Sequence, residues 1–76
     1  MKTRINYLLR WAEKNTINLD LFYNIDIKEG YIALQGYDTP EIRTRFGQYQ
    51  FTEKEGYFNA RVLGKYLIEI CLTLII

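Results

Sequence analysis

Between Thr3 and Asn15 the apolar positions Ile5, Leu8, Leu9 and Ala12 recur at three- and four-residue spacing, which places them on one stripe of a helix. Arg4, Asn6, Arg10, Glu13 and Lys14 lie off that stripe, and Tyr7 and Trp11, one turn apart, form an aromatic pair on its flank. The pair either widens the buried face or stands exposed as a recognition feature. Beyond Asn15-Thr16 the period changes: Ile17, Leu19, Leu21, Tyr23, Ile25 and Ile27 alternate with Asn18, Asp20, Asn24 and Asp26. This is a strand pattern that only Phe22 interrupts.

The tetrapeptide Lys28-Glu29-Gly30-Tyr31 returns as Lys54-Glu55-Gly56-Tyr57. Glu-Gly is a weaker relative of the Asn-Gly hairpin signal, with Gly supplying a positive φ, so both copies are read as hairpin turns. A two-residue loop at Glu29-Gly30 sets Ile27 against Ile32, Ile25 against Leu34, Asp26 against Ala33 and Asn24 against Gln35. The same rule at Glu55-Gly56 sets Phe51 against Ala60 and Tyr49 against Val62. The segment from Gly36 to Glu41 is rich in turn formers and reads as a loop, with a third strand starting near Ile42. Its phase changes across Gly47, which predicts a β-bulge at Gly47-Gln48. A three-residue turn, Leu63-Gly64-Lys65, then sets Val62 against Tyr66, Ala60 against Ile68 and Phe58 against Ile70. The expected fold is α+β: one N-terminal helix packed on one face of a five-stranded antiparallel meander, in the order α-β-β-β-β-β, as a single domain over residues 1–76.

Composition narrows the chemistry. With 49% apolar and 25% charged residues the chain has the makeup of a folded domain, at a size where one core gives marginal stability. Ten basic against nine acidic residues leave a net charge of +1, which argues against a polyanion binder driven by bulk charge. There is no His and a single Cys, so an internal disulfide, a Cys/His zinc site and a His base are excluded. Neither a metal nor another cofactor is expected. Polar residues interrupt the apolar start, and the run from Tyr66 to Ile76 carries Glu69 and is about half the ~20 residues of a bilayer crossing. A cytoplasmic chain with no membrane partner is expected.

Two surfaces carry the functional expectation. The sheet face away from the helix is expected to present Asn24, Asp26, Ala33, Gln35, Asn59 and Glu69 together with Arg43, Arg45, Arg61, Gln48 and Gln50, with Tyr31, Tyr57 and the loop residue Tyr37 beside them. Tyr and Arg dominate protein-binding hot spots, and the same residue types contact phosphates and stack on bases. The second surface is the last strand, expected at a sheet edge. There Leu67, Cys71, Thr73 and Ile75 give it a second largely apolar side through which two copies could pair.

No acid and base are spaced for catalysis, so no enzyme is expected. The reading is a small non-enzymatic interaction module, an inhibitor, adaptor or regulator of a protein partner. Its size class is common among phage and mobile-element accessory proteins. Asp26, Glu69 and the low net charge rank single-stranded nucleic-acid binding second.

Overall fold

In the computed structural model, which describes residues 2–74, helix α1 spans Lys2–Lys14. Its buried residues are Leu8 and Ala12, whereas Ile5 and Leu9 are 40% and 52% exposed. The helix is thus rotated from the expected stripe towards its aromatic flank. Tyr7 meets Tyr66 edge-on with ring centroids 5.1 Å apart, and Trp11 stacks on Phe46 at 6.3 Å. Each ring buries more apolar area than Ile or Leu, so the larger side chains win the inward positions.

The helix closes in a Schellman motif, with the Ile17 amide donating to the Ala12 carbonyl at 2.8 Å and Thr16 to Glu13 at 3.2 Å. Thr16 takes the left-handed position at φ 56°, a strained choice for a β-branched residue. The alternation expected from Ile17 therefore does not become strand. Asn18 accepts a hydrogen bond from the Asp20 amide at 2.9 Å and caps a 3₁₀ turn at Leu19–Leu21.

Strand β1 begins at the residue that broke the pattern, Phe22, and runs to Ile27; β2 spans Tyr31–Tyr37. Their antiparallel register is the expected one at all four pairs from Asn24↔Gln35 to Ile27↔Ile32. Next comes a second helix, α2, at Pro40–Arg45, where a strand was expected from Ile42. Thr39 caps it through Oγ1 to the Ile42 amide at 3.3 Å, Pro40 opens it, and Glu41 and Arg43/Arg45 complement its two ends. Ile42 and Phe46, four apart, both point into the core. Gly47-Gln48 belongs to the turn after this helix and forms no bulge.

Strand β3 is short, Thr52–Lys54, followed by β4 at Tyr57–Val62 and β5 at Leu67–Thr73. The second hairpin keeps its expected frame, Lys54↔Tyr57 to Thr52↔Asn59, but its ladder ends before Phe51. Of the two Glu-Gly turns, only Gly56 has a positive φ, 85°. An added Cβ meets nothing within 4 Å at either glycine, so backbone conformation makes glycine necessary at Gly56 and not at Gly30.

The sheet order is β1-β2-β5-β4-β3, with β5 parallel to β2 and antiparallel to β4. The fold is α+β with one mixed sheet, not an antiparallel meander. Val62 pairs with Ile68, Ala60 with Ile70 and Phe58 with Leu72, two residues from the expected register. An even shift keeps every side chain on its expected face, and it frees Tyr66 to lie against Tyr7. Because β5 is central, its edge is not available for pairing a second copy. Leu67, Cys71 and Thr73 are flanked by β2 and β4, and Ile75 lies outside the described residues.

One face of the sheet carries the core. Ile32, Leu34, Ile68, Ile70 and Leu72 are fully buried under Leu8, Ala12, Ile42 and Phe46 of the two-helix side. Gly36 lies in this face where a Cβ would crowd Phe22 and Ile42 at 3.0 and 3.1 Å.

Candidate functional site: the uncovered sheet face

Because directly paired residues share a face, the ladders arrange the other side of the sheet in rows. Asp26, Ala33, Glu69 and Arg61 form one row across β1, β2, β5 and β4. The next is a row of short polar groups: Asn24, Gln35, Cys71, Asn59 and Thr52. Beyond it run Tyr37, Thr73, Tyr57 and Lys54. Tyr23 extends this last row on β1, its ring 4.9 Å from that of Tyr37 and its hydroxyl 3.4 Å from Thr73 Oγ1.

Tyr23 reaches this face through the irregularity between Phe22 and Asn24, where the chain gains one residue against β2. Phe22 stays in the core and Tyr23 turns out, 53% exposed. Simple alternation assigned Tyr23 to the core with Ile25. The interruption at Phe22 was the signal for the bulge.

The polar row holds itself in place. Asn24 Nδ2 donates to Gln35 Oε1 at 2.6 Å and to Asp26 Oδ2 at 3.3 Å. Asn59 Nδ2 lies 3.3 Å from Cys71 Sγ, which in turn lies 3.7 Å from Glu69 Oε1. Arg61 Nε is 3.6 Å from Glu69 Oε2. Burial pushes the Cys71 thiol above its usual pKa; the Asn59 hydrogen bond opposes this and the neighbouring Glu69 charge adds to it. The thiol is therefore neutral near pH 7 and is a poor nucleophile. Two open depressions lie along this part of the sheet. One, of about 360 Å³, is lined by Gln35, Gly56, Tyr57, Cys71 and Thr73; the other, of about 460 Å³, includes Gln50, Thr52, Lys54, Asn59 and Arg61.

Comparison with protein-family models, with curated proteins and with solved structures finds no match to this chain.

The expected site residues are only partly brought together. Tyr31, Tyr37, Tyr57 and Arg61 stand on the uncovered face, and Gln50 lines the depression beside Arg61. Arg43 and Arg45 belong to α2 instead. Arg43 Nε pairs with Asp38 Oδ1 at 2.6 Å, and its guanidinium lies over Phe51 and Phe58 at 4.8 and 4.4 Å. It is a structural clamp joining the start of α2 to the β3–β4 hairpin. Arg45 and Gln48 are exposed near the end of α2, away from the rows. Asn59 stands on this face as expected, and the residues that the alternation missed are Tyr23 and Lys54.

Chemically, the face offers aromatic edges, hydroxyls and amides, with Asp26 and Glu69 offsetting Arg61 and Lys54. Among the described residues no three Cys, Asp or Glu side chains are grouped to hold a metal ion. No described helix is long and apolar enough to cross a membrane.

Proposed function

We propose that this chain is a small non-enzymatic interaction module that binds a protein partner on the uncovered face of its sheet, acting as an inhibitor, adaptor or regulator. The observation that carries the reading is the row Tyr23, Tyr37, Thr73, Tyr57 and Lys54, which crosses all five strands beside a row of amides. Tyrosines on a rigid sheet bring large contact area with little side-chain entropy to lose, and the amides supply hydrogen bonds that fix orientation. The charge balance favours protein over nucleic acid. Arg43 is committed to Asp38, Arg61 lies beside Glu69, and Asp26 adds a further negative charge to the face.

The test is a tagged capture from native lysate, with and without nuclease, followed by affinity measurement on the captured partner. A protein should remain bound after nuclease, and Tyr37→Ala with Tyr57→Ala should weaken it by roughly 30-fold or more, the scale of a hot spot. Arg45→Ala, on α2, should leave affinity unchanged. Binding that disappears with nuclease and falls steeply with salt would overturn the reading in favour of single-stranded nucleic acid.

A further inference from the structure

The sheet order leaves two edges, β1 and β3, and they are built differently. β3 has three residues, of which Glu53 and Lys54 are charged, a short edge of the kind that resists pairing. β1 has six residues, Phe22–Ile27, with no Lys, Arg or Pro among them. Its backbone phase can be read from the hairpin. The Lys28 amide donates to the Tyr31 carbonyl at 2.8 Å, so that pair is hydrogen-bonded. Hydrogen-bonded and non-bonded pairs alternate along an antiparallel ladder. Asp26↔Ala33 and Asn24↔Gln35 are therefore bonded to β2, and the amide and carbonyl groups of Ile25 and Ile27 point out of the sheet at its edge. The Ile25 side chain, on the core side, is 36% exposed there.

We infer that β1 pairs with β1 of a second copy, antiparallel about a two-fold axis at Ile25, making one continuous sheet across the dimer. The side chains select both occupant and register. Centred on Ile25, each Asn24 amide lies opposite Asp26 of the second copy, a donor against a carboxylate, and this complement is satisfied twice by the symmetry. Within one chain Asn24 Nδ2 donates to Gln35 at 2.6 Å and to Asp26 at 3.3 Å, so pairing exchanges the longer of these bonds for one to Asp26 of the second copy. Centring on Asp26 would set two carboxylates face to face. Centring on Asn24 would carry the pairing across the irregularity between Phe22 and Asn24, and centring on Ile27 would set Asp26 against Lys28 but run the pairing into the Glu29-Gly30 turn. In the selected register Ile25 exchanges two backbone hydrogen bonds with Ile25 of the second copy and covers its exposed side chain.

One strand pair is small against the roughly 1,600 Å² of a stable interface, so the dimer should be weak, with a dissociation constant on the order of 0.1 mM. Sedimentation of the intact chain from about 10 μM to about 1 mM tests this. A reversible monomer–dimer equilibrium is expected. Ile25→Lys should weaken it more than 10-fold, by placing two cations at the axis, while thermal melts show that the variant remains folded. Asn24→Lys, which sets a cation against Asp26 of the second copy, should tighten it several-fold at low salt. A monomer throughout the range overturns the inference, and so does a dimer indifferent to Ile25→Lys. If Asn24→Lys loosens the dimer, this register is wrong.

Discussion

The two faces of the sheet share one backbone and differ in almost every other respect. On the helix side Ile32, Leu34, Ile68, Ile70, Leu72 and Ala60 are sealed beneath α1 and α2. On the other side the alternate residues of the same strands present tyrosines, amides and a few charges to solvent. A period of two lets each strand serve both purposes, so the core can supply stability while the opposite face remains free to carry recognition chemistry. Arg43 shows how strictly the division is kept. On the helix side, its charge is paired with Asp38 and its plane is covered by two phenylalanine rings.

The contrast is sharpest at large side chains. Leu34→Ala should destabilise by about 3 kcal/mol or more in urea melts, because the fully buried site cannot collapse around the cavity. Tyr37→Ser, on the same strand but half exposed, should cost about 1 kcal/mol, the loss of its contact with Tyr23. Equal costs would break the division between a sealed and an uncovered face.

A finer comparison uses two alanines in the body of the sheet. Ala60 faces the core and Ala33 the uncovered side. Ala60→Ser should cost about 1–2 kcal/mol by burying a hydroxyl among apolar groups, whereas Ala33→Ser, also buried but with the Asp26 and Glu69 carboxylates beside it as acceptors, should stay within about 0.5 kcal/mol.

The smallest effect concerns Cys71, partly covered within the uncovered face. With its folded pKa raised above the unfolded value, the thiol favours folding below the unfolded pKa. That contribution is lost as pH rises through the folded pKa. Alkylation at pH 8 should accordingly be slower in the native protein than in urea. Equal rates would mean that the face shields the thiol no better than bulk solvent does.

Much of this was legible along the chain. The β1–β2 register followed from apolar pairing about Glu29-Gly30, since a one-residue slip would have moved Ile25 and Ile27 off the core face. The face of each β4 and β5 residue was legible for the same reason, although the pairing is two residues away. Helix α2 was legible in principle: Thr39-Pro40-Glu41 is a capped helix start, and Ile42 and Phe46 fit a helical face as well as they fit strand alternation. Short apolar spacings carry both periods, and here the Thr39 cap and the core position of Phe46 settle the choice. The repeated Lys-Glu-Gly-Tyr turns teach the same lesson in miniature. Identical residues take different backbones, with only Gly56 left-handed, because the flanking strands set the geometry that the turn must close.

Readable along the chain were the core-facing side chains of β2, β4 and β5, the places where the two hairpins turn, and the lack of a His base or an internal disulfide. Those properties are local, set by side-chain period, turn conformation and residue type. Long-range packing decides that β5 enters the sheet between β2 and β4, that Arg43 lies on the helix side against Asp38, and that β1 is the longer edge. Strand order depends on pairing between segments distant in the chain. The two strands that flank β5 satisfy its backbone groups on both edges, and no residue-by-residue pattern names those neighbours.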